Sequence, residues 1–294
     1  MQETKAKNNP LATAGLLIAA ASWGLVWYPY RLLQEAGIAG VISTFYTYGV
    51  AVLLGLVLFA SQFRKMKGMW GMMLAVGLAA GWTNVAYVVA VIHGEVMRVM
   101  LLFYLSPLWT LALAYFWLGE RTGRLGVIAI ATSLLGAFIM LWHPERGMPY
   151  PQGESEWLGL FAGIGFAVTN VLTRRAVHLS LAAKSFAVWV GVMLVALLCM
   201  PFTDLAIPAP QTLGHYSWLI MAGIGLVLMI ATGGVQYGLT HTPATRASVI
   251  FLFELVVAAL AAYWLAREAM TLREWLGGIL IVAASIVAAR AEKA

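Results

Sequence analysis

Long apolar segments, separated by short polar connections, dominate the chain. An α-helix needs about 20 apolar residues to cross the hydrocarbon core of a bilayer, and lipid requires every backbone hydrogen bond to close within the segment. The pattern therefore predicts an all-α polytopic membrane protein with ten transmembrane helices. The ten predicted spans are residues 11–33, 39–61, 69–92, 96–118, 124–142, 157–177, 184–202, 216–240, 244–266 and 271–289.

The composition supports a membrane protein and leaves little room for an aqueous domain. Of the 294 residues, 62% are hydrophobic and 10% are charged, whereas a soluble domain carries about 25% charged residues. The longest connection runs only from Trp142 to Glu156. The first span exceeds the apolar length of a signal peptide and is followed by no cleavable exit, so we expect it to remain as a span. The single cysteine, Cys199, permits no intramolecular disulfide.

The basic residues indicate an orientation in the membrane. Placing the N-terminus in the cytoplasm puts 13 of the 18 Lys and Arg residues on the cytoplasmic side. The net charge is +6, but the basic residues form no stripe with interleaved aromatic residues, so we expect no nucleic-acid partner. We predict a multi-pass protein of the cell inner membrane with both termini cytoplasmic. The basic residues on the opposite side would be Arg31, Arg98, Arg146, Arg267 and Arg273.

An internal repeat relates the fourth and ninth spans. Residues 98–120 match residues 246–268 at a shift of 148, which pairs Arg98 with Arg246 and Glu120 with Glu268. The chain is thus predicted to form two five-span halves, residues 1–145 and 155–294. Because five is odd, the second half enters the membrane inverted, which favours alternating access to a site near the midplane. Two such halves form a complete inverted pair, so we expect a monomer. The alternative is that apolar helices resemble each other by composition.

Polar residues inside the spans are the first candidates for a binding site. Glu254 lies near the middle of the ninth span, where an ionised carboxylate facing lipid costs about 3 kcal/mol, so its side chain should face protein or water. It would then bind a substrate ammonium, carry a proton, or serve as a protonated structural acid. Asn84 and Tyr87 share a helix face, and Gln236 and Thr240 share another. These faces line a cavity, or they join helices by hydrogen bonds.

Aromatic residues within the spans complete the candidate site. Trp82, Tyr104 and Trp189 lie away from the interfaces where aromatic belts concentrate, and they would stack on a flat substrate or simply pack. The predicted substrate-binding residues are Trp82, Asn84, Tyr87, Tyr104, Trp189, Gln236 and Glu254.

Charged residues at the ends of the fourth and ninth spans allow two interpretations. Arg98 and Arg246 would steer a carboxylate or anchor their helices at the interface. Glu120 and Glu268 are expected to form interfacial ion pairs with Arg121 and Arg267.

Enzyme signatures are missing from the sequence. The five histidines show no HExxH spacing, and no GxSxG, Walker or GxGxxG element occurs. We therefore expect no catalytic residue, no metal site, no cofactor and no ATP-driven transport by this chain. An intramembrane lipid-modifying enzyme is the alternative from another functional class.

Several short motifs together resemble the drug/metabolite transporter superfamily, specifically its EamA-type ten-helix branch and, within it, the YddG-type exporters of aromatic amino acids. The resemblance implies that spans 1–4 and 6–9 surround a central cavity and that spans 5 and 10 pack outside. It also implies export of aromatic or other neutral amino acids, with other small organic or drug-like substrates as the alternative. Ser106-Pro107 of the first half becomes Glu254-Leu255 in the second, so matched positions need not share roles. The matching residues are Trp23-Gly24, Asn84 to Tyr87, Ser106-Pro107, Gly119-Glu120, Gly126, Gly136, Gln236-Tyr237, Glu268, Gly277 and Gly278.

Overall fold

The computed structural model describes residues 9–60, 68–94, 96–142, 145, 151–202, 211, 213–265 and 271–290. Throughout these ranges the regular secondary structure is helical. The α-helices are α1 Pro10–Glu35, α2 Gly40–Leu58, α3 Trp70–His93, α4 Val96–Phe103, α5 Ser106–Leu113, α6 Arg124–Leu141, α7 Glu154–Arg175, α8 Leu181–Cys199, α9 His215–His241, α10 Ala244–Phe251, α11 Phe253–Leu265 and α12 Leu272–Arg290.

The lengths of these helices match the predicted membrane spans. In the part of the chain that the structure describes, nine helical segments are long and apolar enough to cross a bilayer, and they include Arg98–Leu118 and Ala244–Leu265. The remaining helix, α12, has 19 residues and packs along α6. The polytopic all-helical fold predicted from the sequence is therefore confirmed.

The fourth and ninth spans are each broken near the middle. α4 ends at Phe103 and α5 begins at Ser106, next to Pro107, which has no N–H to donate. α10 ends at Phe251 and α11 begins at Phe253, although no proline occurs there. Tightened turns replace the α-helical bonds in both cases: Leu105 N–H donates to Leu102 O, and Leu252 N–H donates to Val249 O. A shift of 148 residues superimposes Phe103 on Phe251, so the two breaks lie at matched positions.

The end of the fourth span has a special backbone. A π-helical turn, Ala114–Leu118, follows α5 and ends at Gly119, whose φ is +68°. This left-handed conformation is readily adopted by glycine, which has no Cβ. The turn directs the next residue, Glu120, back toward the bundle.

Helix contacts follow an exchange pattern between the two halves. α1 packs against α9, α10 and α11, whereas α7 packs against α3, α4 and α5. α7 is the sixth span and is therefore the counterpart of α1, the first span. In the same way α9, the eighth span, is the counterpart of α3, the third. The contacts of α1 with α9, α10 and α11 thus correspond to the contacts of α7 with α3, α4 and α5.

α6 and α12 form a pair with each other. They cross where Gly136 meets Gly277, so closely that a Cβ on Gly277 would lie 2.5 Å from Gly136 O. Their other main contacts are with α4, α10 and α11. The fifth and tenth spans thus pair at one side of the fourth and ninth.

Candidate functional site

Aromatic rings gather at the two helix breaks. Phe166 of α7 lies between them, with its ring centroid 5.7 Å from that of Phe103 and 5.2 Å from that of Phe251. Tyr87 of α3 contacts Phe103 at 4.9 Å, and Tyr104 lies edge-on to Phe103 at 5.2 Å. Because α4 and α10 end here, their last residues present rings to α7 rather than continuing along a helix. We call these five residues the break cluster.

Glu254 lies beside the break cluster, in the first turn of α11. Its carboxyl group is close to the hydroxyls of both Tyr104 and Tyr87. The Tyr104 side chain is buried. An acid beside tyrosine hydroxyls, surrounded by rings, is chemically suited to a flat molecule that carries an amine.

Gly24 brings α1 against the same helix break. A Cβ at this position would lie 2.7 Å from Glu254 O and 2.9 Å from the Val257 Cβ. Any larger residue would push α1 away from α11. Gly24 of the Trp23-Gly24 motif therefore lets α1 pack closely against α11 beside Glu254.

Asn84 is occupied by bonds to its neighbours. Its Oδ1 accepts a hydrogen bond from the Tyr48 hydroxyl at 3.1 Å, and its Nδ2 donates to Ala80 O at 2.9 Å. The side chain thus joins α3 to α2. It lies one turn from Tyr87, as the sequence spacing predicts.

The two tryptophans of the predicted site lie apart from the break cluster. Trp82 is 44% exposed, on the same outer stripe of α3 as Leu74 and Leu78, and its indole N–H reaches Phe161 O at 3.4 Å. Trp189 is buried in α8, where it stacks on Phe59 with ring centroids 6.1 Å apart. The structure therefore brings Tyr87, Tyr104 and Glu254 together, and it gives the tryptophans other neighbours.

Gln236 belongs to a second polar region, where α7, α8 and α9 meet. It is buried, and its Oε1 has no hydrogen-bond partner within the described residues. One turn further along α9, the Thr240 hydroxyl donates to Gln236 O at 2.7 Å and accepts from Lys184 Nζ at 2.9 Å. The sequence predicts no role for Lys184 beyond its contribution to the basic bias.

Two ion pairs join the fourth span to opposite ends of α7. At one end, Arg98 forms two bonds with Glu156, of 2.6 and 3.1 Å, through nearly buried side chains. At the other end, Arg174 donates to Glu120 at 3.0 Å. Arg98 is thus paired within the protein, and the partner of Glu120 is Arg174 rather than the expected Arg121. Glu268 and Arg267 lie outside the described residues.

Several residues of these regions were missed by sequence reasoning. Phe103, Phe166 and Phe251 resemble ordinary apolar span residues, and only the helix breaks reveal their shared position. Lys184 offered a usable signal, because a lysine at the start of an apolar run has a polar neighbour wherever it is buried. Among the described residues, no group of three metal-ligating side chains lies close enough to hold an ion.

Comparisons with known proteins assign the sequence to a family. The model of the EamA-like transporter family matches residues 11–142 and again residues 155–290. A relative from Archaeoglobus fulgidus, named an uncharacterized transporter, is 25% identical over 217 residues, which cover 71% of this chain and 72% of the relative. The uncharacterized inner membrane transporter YicL of Salmonella typhimurium is 25% identical over 291 residues, covering 92% of this chain and 93% of the relative.

A solved crystal structure shares the fold. It covers 96% of this chain and 99% of its own chain, with a TM-score of 0.77 and 18% sequence identity. At that identity the likeness supports the architecture alone. Both relatives are named as transporters, which disfavours the intramembrane enzyme considered above.

Proposed function

The chain belongs to the EamA-like transporter family and is a multi-pass membrane transporter. On that premise we propose that it exports aromatic or other neutral amino acids across the cell inner membrane by alternating access. The observation that carries the substrate proposal is the position of Glu254 beside the break cluster. Small-molecule sites are mainly apolar or aromatic, with a few polar groups that fix orientation. The rings of Tyr87, Phe103 and Tyr104 suit an aromatic side chain, and the Glu254 carboxylate suits an α-ammonium group.

The proposed mechanism uses two inverted halves, residues 1–145 and 155–294. The separate family matches to residues 11–142 and 155–290 support this division. The exchanged contacts of α1 and α7 and the matched breaks at Phe103 and Phe251 support it as well. In transporters of this kind, substrate sites lie at the interface of the repeats and often involve interrupted helices. We further propose cytoplasmic termini and function as a monomer.

A second candidate substrate is a small organic amine without a carboxylate. The neighbours that Glu254 meets in the break cluster are tyrosines and not basic side chains. An amine would satisfy Glu254 and stack on the rings, whereas an amino acid must also place its carboxylate. Transport of both classes therefore has to be measured.

Proteoliposomes containing the purified chain test the proposal. Uptake of labelled L-phenylalanine, phenethylamine and an uncharged aromatic amide is measured for the wild type and for Glu254→Gln. We expect Glu254→Gln to reduce transport of L-phenylalanine about tenfold, because a hydrogen bond to a charged group contributes roughly 1.5–3 kcal/mol. Transport of the uncharged amide should change much less.

Glu35→Gln is the matched control, since it makes the same chemical change in an exposed pair at the end of α1. It should leave all transport rates unchanged. A well-folded Glu254→Gln variant with normal transport of L-phenylalanine would remove Glu254 from the site. Transport of phenethylamine without L-phenylalanine would favour the second candidate.

A further inference from the structure

The meeting point of α7, α8 and α9 contains a buried cation. The Lys184 side chain is fully buried, and its ammonium group donates to Thr173 O at 3.1 Å and to the Thr240 hydroxyl at 2.9 Å. Both acceptors are neutral. An ammonium group has three N–H donors, so one has no acceptor among the described residues.

The nearby charges do not balance Lys184. Arg174 donates to Glu120 and also to Thr240 O at 2.5 Å. The second oxygen of Glu120 accepts from Ala244 N–H at 3.0 Å. Among the described residues Lys184 thus bonds no carboxylate, and the nearby Glu120 carboxylate is held by Arg174 and the start of α10. A buried charge without an opposite partner is costly, so an anion should be favoured here.

Unpartnered polar atoms lie at the level of Thr173 and one helical turn deeper. The amide nitrogen and oxygen of Asn170 and the Thr173 hydroxyl are buried on α7, and none has a partner within the described residues. Gln236 contributes its unpartnered amide oxygen from α9. Most buried side-chain polar atoms in proteins are hydrogen-bonded, so these atoms leave donors and acceptors available to a ligand or to water.

The direction of the helices puts these groups at one level. α7 and α9 are alternate spans and therefore run the same way through the membrane. Asn170 precedes Arg174 by four residues and Gln236 precedes Thr240 by four, which is about 6 Å of rise on each helix. Arg174 and Thr240 are in contact, so Asn170 and Gln236 occupy the next layer inward.

We propose that Lys184, Asn170 and Thr173 form an anion site for the carboxylate of a small organic acid or amino acid, with Gln236 at its edge. The Lys184 ammonium supplies the opposite charge, and the Asn170 amide and the Thr173 hydroxyl supply neutral donors. The Gln236 oxygen accepts from any N–H that the same molecule carries. The site lies toward the Glu120 end of the bundle and is distinct from the break cluster around Glu254.

This site goes beyond the proposed function, because binding of a carboxylate there requires neither transport nor the Glu254 contact. It also bears on the choice between the two candidate substrates. An amino acid would use Lys184 at one stage of its passage and Glu254 at another. An amine without a carboxylate would use Glu254 alone.

Thermal unfolding of the purified full-length chain in detergent tests the site. The probe is 3-phenylpropionate, and its uncharged amide is the matched control ligand. We expect the unfolding temperature of the wild type to rise with the carboxylate and not with the amide. In Lys184→Met, the concentration for half-maximal stabilisation should rise about tenfold, which is the loss expected for one hydrogen bond to a charged group. Arg31→Met removes an exposed basic residue and should leave this concentration unchanged.

Asn170→Leu provides a second variant should Lys184→Met fail to fold. Because the Asn170 amide is unpartnered, its removal should not lower the unfolding temperature of the ligand-free protein. It should still weaken stabilisation by 3-phenylpropionate several-fold. A Lys184→Met protein, or failing that an Asn170→Leu protein, that binds the carboxylate as the wild type does would overturn the proposal. Equal stabilisation of the wild type by carboxylate and amide, or by neither, would overturn it too.

The outcomes separate this proposal from the transport function. If Lys184→Met loses carboxylate binding and keeps normal phenethylamine uptake, the anion site and the amine substrate are both supported. Intact carboxylate binding with no uptake of any amino acid would leave the site standing and refute amino acid export.

Discussion

The contact between α3 and α8 offers the sharpest test of the packing, because two glycines meet there. A Cβ built on Gly191 would lie 2.0 Å from Gly77 O and 2.4 Å from Gly77 Cα. Ordinary contacts of this kind exceed 3.4 Å. Gly191→Ala must therefore separate the two helices by about 1.4 Å, the difference between 3.4 and 2.0 Å.

The expected cost follows from two opposing effects. Overpacking in a close-packed interior costs roughly 1–3 kcal/mol, and here backbone atoms block relief by a side-chain rotation, so about 3 kcal/mol applies. Replacing a helical glycine by alanine contributes about 1 kcal/mol in the favourable direction. The net prediction for Gly191→Ala is a loss of about 2 kcal/mol in the free energy of unfolding.

Gly223→Ala in α9 is the matched control, because a Cβ there would meet nothing within 4 Å. This variant should keep or raise the stability of the protein. Thermal unfolding of both purified variants in the same detergent gives the comparison. If Gly191→Ala unfolds at the temperature of Gly223→Ala or above it, the close contact between α3 and α8 is refuted.

Two further predictions concern the ion pairs and the orientation. Glu156→Gln should lower the free energy of unfolding by about 2 kcal/mol, because it breaks a two-bond, nearly buried pair with Arg98. Glu35→Gln, in an exposed pair with Arg31, should lower it by less than about 0.5 kcal/mol. Equal unfolding temperatures of the two variants would contradict this prediction. A thiol added at the C-terminus of a Cys199→Ser chain should stay unlabelled by an impermeant maleimide in intact cells, and efficient labelling there would reverse the proposed orientation.

The spans were predictable because the membrane imposes a length on every helix. An apolar run near 20 residues has few alternatives in lipid, so the pattern alone predicts the number of spans and their helical type. The break before Pro107 has a local cause in the sequence, because proline has no N–H to donate. The break at Leu252 has no such local cause, and its only signal in the sequence is the 148-residue match to Tyr104.

The candidate site was less predictable, because helical spacing shows which residues share one side of a helix but not what that side contacts. Tyr87, Tyr104 and Glu254 were expected together and do lie together, on three different spans. Trp82 lies on the outer stripe of α3, because residues 74, 78 and 82 share one face of that helix. Helical spacing therefore predicted which residues share a face, whereas the direction of that face required the packing.

The polar contacts at the two ends of α7 differ in which helices they connect. At one end, Arg98 and Glu156 join the fourth span to α7. At the other end, Glu120 bonds Arg174 of α7 and also Ala244 of α10, while Lys184 of α8 bonds Thr240 of α9. If alternating access operates as proposed, opening at this second end separates α9 and α10 from α7 and α8, which exposes Lys184 and leaves its charge with fewer partners. A carboxylate that arrives from that side would then replace the lost contacts of Lys184. The groups that hold this end closed would therefore bind an anionic substrate when the end opens.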